Sequence, residues 1–182
     1  MFLKKITLKD ISIASLLASL TALGAFIIIP LYPVPITLQN LFTYLAAMVF
    51  GKKIGLLSQI IYISMGIAGL PVFAAGKTGL GILFGPTGGY LWGFIISAYI
   101  IGFLVEKNNL RQKEHFFYCG LLGATIINLF GALQLYLVTR LSITAILFTG
   151  VIPFFPGDLI KVILAAILSY KLKLILTSQR AI

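Results

Sequence analysis

Charge is what this chain has least of. Four acidic residues stand among 182, and charged residues of both signs make up 10% of the sequence. Hydrophobic residues make up 60%, and the mean hydropathy is +1.09. Ordinary soluble domains carry about 25% charged and about 45–50% apolar residues. A chain this short has no core large enough to hide so much apolar surface, so a soluble fold is excluded. One membrane-embedded, substrate-binding domain over residues 1–182 is expected. Cysteine and histidine are scarcer still. Cys119 stands alone in an apolar run and His115 is the only histidine. That excludes an internal disulfide and a zinc site of three or four ligands, so no metal is expected. Catalytic groupings are missing too: no Ser-His-Asp set, no HExxH, no paired acids suited to hydrolysis, no complete nucleotide motif. Binding or transport is expected instead of enzyme chemistry, without a cofactor.

What charge there is carries information through its placement. The formal net charge is +10, yet the basic residues punctuate apolar runs instead of forming a patch, so nucleic acid is not the expected partner. The apolar runs are 11–29, 36–50, 54–70, 90–105, 116–138 and a last one over about 157–168. The first follows a basic lead-in, but its 19 residues exceed a signal-peptide core of about 7–15, and no small-residue cleavage site follows. It reads as a retained transmembrane helix. With six spans, one side holds Lys4, Lys5, Lys9, Lys52, Lys53, Lys107, Arg111, Lys113, Lys171, Lys173 and Arg180, and the other holds only Lys77 and Arg140. Cytoplasmic loops collect Lys and Arg. The expected fold is therefore an all-α bundle of six transmembrane helices with both termini cytoplasmic. Hydropathy does not decide whether 143–155 is loop, partial helix or part of the last span.

The bundle is organised around residues 67–93, which read IAGLPVFAAGKTGLGILFGPTGGYLWG. Nine of the 18 glycines fall between Gly66 and Gly93, with two of the seven prolines. Non-helical backbone at membrane depth survives only when buried in protein or lining a cavity. This stretch is expected to form a wall or lid of a small-molecule site, facing outward. Lys77 lies in Gly76-Lys77-Thr78, but a phosphate loop would need a glycine where Pro71 stands.

Asp158 is the only acid flanked on both sides by apolar sequence, in Pro156-Gly157-Asp158-Leu159-Ile160-Lys161. On a helix Lys161 shares its face. An ionisable residue inside a membrane usually faces the bundle interior or a cavity and marks function. The alternative is a helix N-cap with a lysine partner, which leaves unexplained a lysine placed deeper in the span. Thr37, Gln39 and Asn40 follow the first proline bend and can line a cavity beside Asp158, or cap and solvate a helix start. Asn128 and Gln134 can bond neighbouring helices or a ligand. Tyr90 and Phe73 flank or cover the glycine-rich wall, as interfacial or core aromatics also would. Ala14, Ala18 and Ala22 recur every four residues along one helix face, where small side chains let another helix approach closely.

The run GLPVFAAGKTGLGILFGPTGGYLWGF, with upstream VPITLQN and downstream FPGDLIKVILAA, resembles the biotin-specific S components (BioY family) of energy-coupling-factor transporters. The similarity covers nearly the whole chain in order. It implies a protein of the bacterial cell membrane that binds biotin from outside and passes it inward. Its partners would be a membrane T component and two cytoplasmic ABC-type ATPases. The resemblance assigns the face of Ala14, Ala18 and Ala22 to the T component, and Asp158 with Lys161 to the fused-ring head of biotin. Tyr90 and the glycine-rich loop fall where the family lines its pocket. On chemical grounds Lys77 is a candidate for the biotin carboxylate. The substrate-binding set is then Asp158, Lys161, Tyr90, Gln39, Thr37, Lys77, Phe73 and Asn128. The alternatives are an S component for another vitamin, a stand-alone small-molecule transporter, or a ligand-free membrane scaffold.

Overall fold

The computed structural model describes residues 6–108 and 112–178. Lys4, Lys5, Arg111 and Arg180, counted above for the basic side, lie outside them. Helix α1 (Leu8–Phe26) starts at a capping box: Asp10 N donates to Thr7 Oγ1 at 3.2 Å and Thr7 N donates to Asp10 Oδ2 at 2.9 Å. Two short antiparallel strands, β1 (Ile28–Ile29) and β2 (Ile36–Thr37), hold the proline bend, with Ile28 opposite Thr37. Helix α2 (Gln39–Ile67) follows, then a 3-10 turn (Ala74–Gly76) and the short α3 (Leu80–Phe84). The chain continues through α4 (Gly88–Lys107), α5 (Lys113–Thr139), α6 (Ile143–Gly150) and α7 (Phe154–Ser178). The molecule is mostly helical.

Helix α2 is two helices in one. Gly51 breaks it with φ +80° and ψ −175°, a conformation that favours glycine. Across the break, Gln39 meets Tyr62 and Thr43 donates to Gln59 at 3.2 Å. Gly55 lies so near Ala47 that a Cβ on it would sit 2.8 Å from Ala47 Cα. Residues 39–50 and 52–67 therefore run antiparallel, side by side, and correspond to the separate sequence runs 36–50 and 54–70. Glu106 at the end of α4 pins the turn: Lys52 N donates to its Oε1 at 2.9 Å, and Lys52 Nζ lies 3.5 Å from Oε2. Lys53 pairs with Asp10 at 2.6 Å. The start of α1, the turn of α2 and the end of α4 thus meet at one basic end.

By length and composition, α1, α2, α4 and α5 can each cross a membrane, and α6 with α7, bent by 45°, makes a fifth crossing. The count differs from the expected six because the 29 residues of α2 enter it once. The last helix is also longer than its apolar run. It begins at Phe154, and Pro156 sits in its first turn, where its missing N–H would have had no intrahelical partner.

Ala14, Ala18 and Ala22 lie inward, 0%, 0% and 8% exposed, on the α1 face that packs against α2. Within this chain the neighbour on that face is α2. Close helix approach is what the small side chains allow, but the approaching helix belongs to the chain itself. Leu16, Leu23 and Phe26 occupy the exposed face of α1.

Candidate functional site

At the end of the bundle opposite the Lys52–Glu106 cluster, the starts of α2, α4 and α7 converge on a cleft. It encloses about 690 Å³, its open mouth included. All eight sequence-predicted binding residues line it: Thr37, Gln39, Phe73, Lys77, Tyr90, Asn128, Asp158 and Lys161. The walls are apolar or aromatic and the polar groups are few, as in small-ligand pockets generally.

The polar floor joins three helices. Asp158 and Lys161, one turn apart on α7, are 5% and 4% exposed and pair at 2.8 Å. From α2, Asn40 bridges them: its Nδ2 donates to Asp158 Oδ1 at 2.7 Å, and its Oδ1 accepts from Lys161 Nζ at 2.8 Å. From α5, Asn128 Nδ2 donates to Asp158 Oδ2 at 2.8 Å. Lys161 Nζ also donates to the Thr37 carbonyl at 3.1 Å. A buried ion pair is tolerated only with good geometry and further hydrogen bonds on its remaining lone pairs and protons, and this one has both.

Asp158 is the fifth residue of α7, and its carboxylate accepts from side chains, not from backbone N–H groups. The N-cap alternative falls away. An ammonium has three protons, and all three of Lys161 are engaged within the protein. A carboxylate has about four acceptor positions. Oδ1 of Asp158 takes two donors and Oδ2 takes one, so an acceptor position remains on Oδ2. Asn128 keeps its second amide hydrogen and its carbonyl oxygen.

The glycine-rich stretch forms a wall, with Phe73, Ala74, Lys77, Ile82, Thr87, Tyr90 and Leu91 lining the cleft. Gln134 holds its middle, donating to the carbonyls of Leu83 at 2.7 Å and Gly85 at 2.8 Å. Tyr90 donates its hydroxyl to the Gly150 carbonyl at 2.7 Å and tilts its ring toward Phe154, with centroids 5.8 Å apart. Phe73 is buried, with its ring in the space left by Gly66. Lys77 is exposed at the rim, and its ammonium has no polar partner among the described residues. Behind the Asn128–Asp158 bond lies a second, apolar crevice between α5 and α6–α7, shared by the same two residues.

Sequence reading missed the bridging role of Asn40, which it named only beside Thr37 and Gln39. Its signal was a third polar residue where an apolar run begins. Leu91 and Phe94 were missed as well, although on a helix Phe94 shares the face of Tyr90, four residues before it.

A family model described as BioY family matches residues 2–178. The chain is similar to a biotin transporter BioY of Thermotoga maritima, 44% identical over 88% of this chain and 93% of that protein. A probable biotin transporter BioY of Lysinibacillus sphaericus is 37% identical over 99% and 94% of the two chains. Among solved structures, the S-component for biotin from an ECF-type ABC transporter superposes with a TM-score of 0.83. It is 26% identical over 95% of either chain. These relatives are transporters, and the helices here have membrane-crossing length and composition. The molecule is a multi-pass membrane protein of transport, not an enzyme.

Proposed function

The chain belongs to the BioY family, and from that premise we propose that it is the biotin-capturing S component of an energy-coupling-factor transporter. In this reading the bundle crosses the membrane six times, the two arms of α2 counting separately. Both termini lie in the cytoplasm. The basic end faces inward, and the cleft opens outward. A T component and two cytoplasmic ATPases drive release inside.

The observation that carries the reading is the buried cluster of Asp158, Lys161, Asn40 and Asn128 at the floor of an otherwise apolar cleft. Biotin offers a ureido group with two N–H donors and one carbonyl acceptor, an apolar fused ring and a carboxylate tail. Asp158 Oδ2 accepts one ureido N–H, and the Asn128 amide supplies a donor for the carbonyl. Such charge-assisted bonds are strong where water is excluded. Lys161 holds the Asp158 carboxylate in place instead of touching the ligand. The aromatic walls of Tyr90 and Phe73 cover the ring.

Equilibrium binding to the detergent-purified protein tests this directly. Biotin binds at one site per chain, and riboflavin and thiamine do not compete. Direct binding of another vitamin, with none of biotin, would replace the proposed substrate.

Lys77, an unpaired cation at the rim, meets the carboxylate tail. Lys77→Ala weakens biotin binding about 3- to 10-fold, the range of an exposed charge-assisted bond. Biotin methyl ester, which has no carboxylate charge, binds parent and variant alike. A full-sized loss for the ester as well would remove Lys77 from this role.

A further inference from the structure

Tyr62 does not line the cleft, yet its phenol touches both the cleft and its wall. Gln39 Nε2 donates to the Tyr62 hydroxyl, and that hydroxyl donates to the Val72 carbonyl at 3.0 Å. Its ring meets Phe73 edge-on, with centroids 5.7 Å apart. On the other side, Thr37 Oγ1 donates to Gln39 Oε1 at 2.8 Å. Thr37 and Gln39 line the cleft, and Val72 leads into the segment that carries Phe73, Ala74 and Lys77 to it.

These bonds form a chain with one direction. The hydroxyl of Thr37 points at the carbonyl end of the Gln39 amide, so the amide presents N–H to Tyr62. A phenol has one proton. While Tyr62 accepts from Gln39, that proton is free to hold Val72. Were Gln39 to turn its carbonyl toward Tyr62, the proton would be drawn to Gln39 and the Val72 carbonyl would lose its donor. The orientation of one buried amide at the cleft therefore sets whether the wall segment is tethered.

At the end of α2, Ala68 N, Gly69 N and Leu70 N donate to the carbonyls of Ser64, Gly66 and Met65, and beyond them the segment has few other ties. Thr78 Oγ1 and Gly79 N both donate to the Gly66 carbonyl at 2.8 Å, and Phe73 N donates to the Lys77 carbonyl at 3.1 Å. Gly69, Gly76 and Gly79 have φ of +102°, +69° and +92°, with open space around each. Such glycines can absorb a change of backbone direction.

We infer that Tyr62 is a positioning residue whose proton couples ligand occupancy at Thr37 and Gln39 to closure of the wall segment over residues 68–79. The inference rests on the proposed reading of the cleft as the biotin site. A ligand that holds the Gln39 amide in its present orientation locks the tether, so the tether slows escape more than entry.

Tyr62→Phe keeps the ring and removes the proton. Hydrogen exchange at residues 68–79 without ligand is expected to quicken in the variant while the amides of α4 are unchanged. Equal exchange in parent and variant would overturn the tether, whether or not biotin binds. With biotin, the variant dissociates about 10-fold faster at an association rate within about twofold of the parent, about the worth of one net hydrogen bond. Biotin then no longer protects residues 68–79. Thr78→Val serves as the control. It removes a tie outside the chain, so exchange rises with and without ligand while the biotin-dependent protection stays. An unchanged dissociation rate in Tyr62→Phe with protection intact would sink the coupling. A parent protein that binds no biotin would instead count against the reading of the site.

Discussion

Asp158→Ala is expected to lose biotin binding by at least about 100-fold and to lower thermal stability at the same time. Three donors converge on the carboxylate, from Asn40, Asn128 and Lys161. Removing it leaves an ammonium that is 4% exposed without its counter-charge. Breaking a buried pair by deleting one partner costs about 3–5 kcal/mol. The ligand loses its ureido acceptor too, and the apolar crevice behind Asn128 loses part of its partition from the cleft. Binding and folding therefore fall together in this variant, and a second one separates them. Asp158→Leu with Lys161→Met replaces both charges by apolar side chains of similar reach, an exchange that is often neutral for stability. The double variant leaves the amides of Asn40 and Asn128 without these partners, so it is expected to melt between Asp158→Ala and the parent and to bind no biotin, by thermal shift and equilibrium binding on the same preparations. A double variant that folds and still binds would make the pair a structural element and move the site elsewhere in the cleft.

The residues of that site were legible in sequence because the membrane makes polar groups conspicuous. Asp158, Lys161, Thr37, Gln39 and Asn128 stand out against apolar runs, and an apolar interior tolerates such groups only where they converge or function. Their convergence is what the cleft displays. The direction of their bonds was not legible. No spacing rule says that Lys161 engages all three protons within the protein, because two of its acceptors come from residues 121 and 124 positions away. The alanine face of α1 left its neighbour open for a related reason. Small residues every fourth position predict a close helix neighbour, but not whether that neighbour belongs to another chain. Here it is α2, folded back at Gly51. The break itself was visible, as two apolar runs parted at Gly51, Lys52 and Lys53. Lengths alone gave runs of 15 and 17 residues without saying that they would lie against each other along their length.

The glycine-rich stretch was read as helix-breaking up to the span that begins at Tyr90, and there the structure draws a finer distinction that substitution can test. Gly89 and Gly93 are helical, on the face of α4 that packs against α5. A Cβ on Gly89 would lie 2.8 Å from the Phe130 carbonyl carbon and closer still to its oxygen. On Gly93 it would lie 2.8 Å from Ile127 Cα. These neighbours are backbone and have no rotamer to give, so α4 and α5 would have to part. Gly89→Val is expected to cost about 3 kcal/mol, the upper part of the range for overpacked cores. It should yield little monodisperse protein and lose most biotin binding, because Thr87, Tyr90 and Leu91 beside it line the cleft. Gly81, in the same stretch, has nothing within 4 Å of a built Cβ and no positive φ. Gly81→Val should stay within about 0.5 kcal/mol of the parent, as exposed substitutions do. Thermal unfolding of the two variants beside the parent separates the roles. If Gly81→Val proved as damaging as Gly89→Val, glycine would serve flexibility along the whole stretch. The contrast expected here places its main role at the α4–α5 contact, where the closeness of two helices brings Tyr90 of α4 and Asn128 of α5 to one cleft.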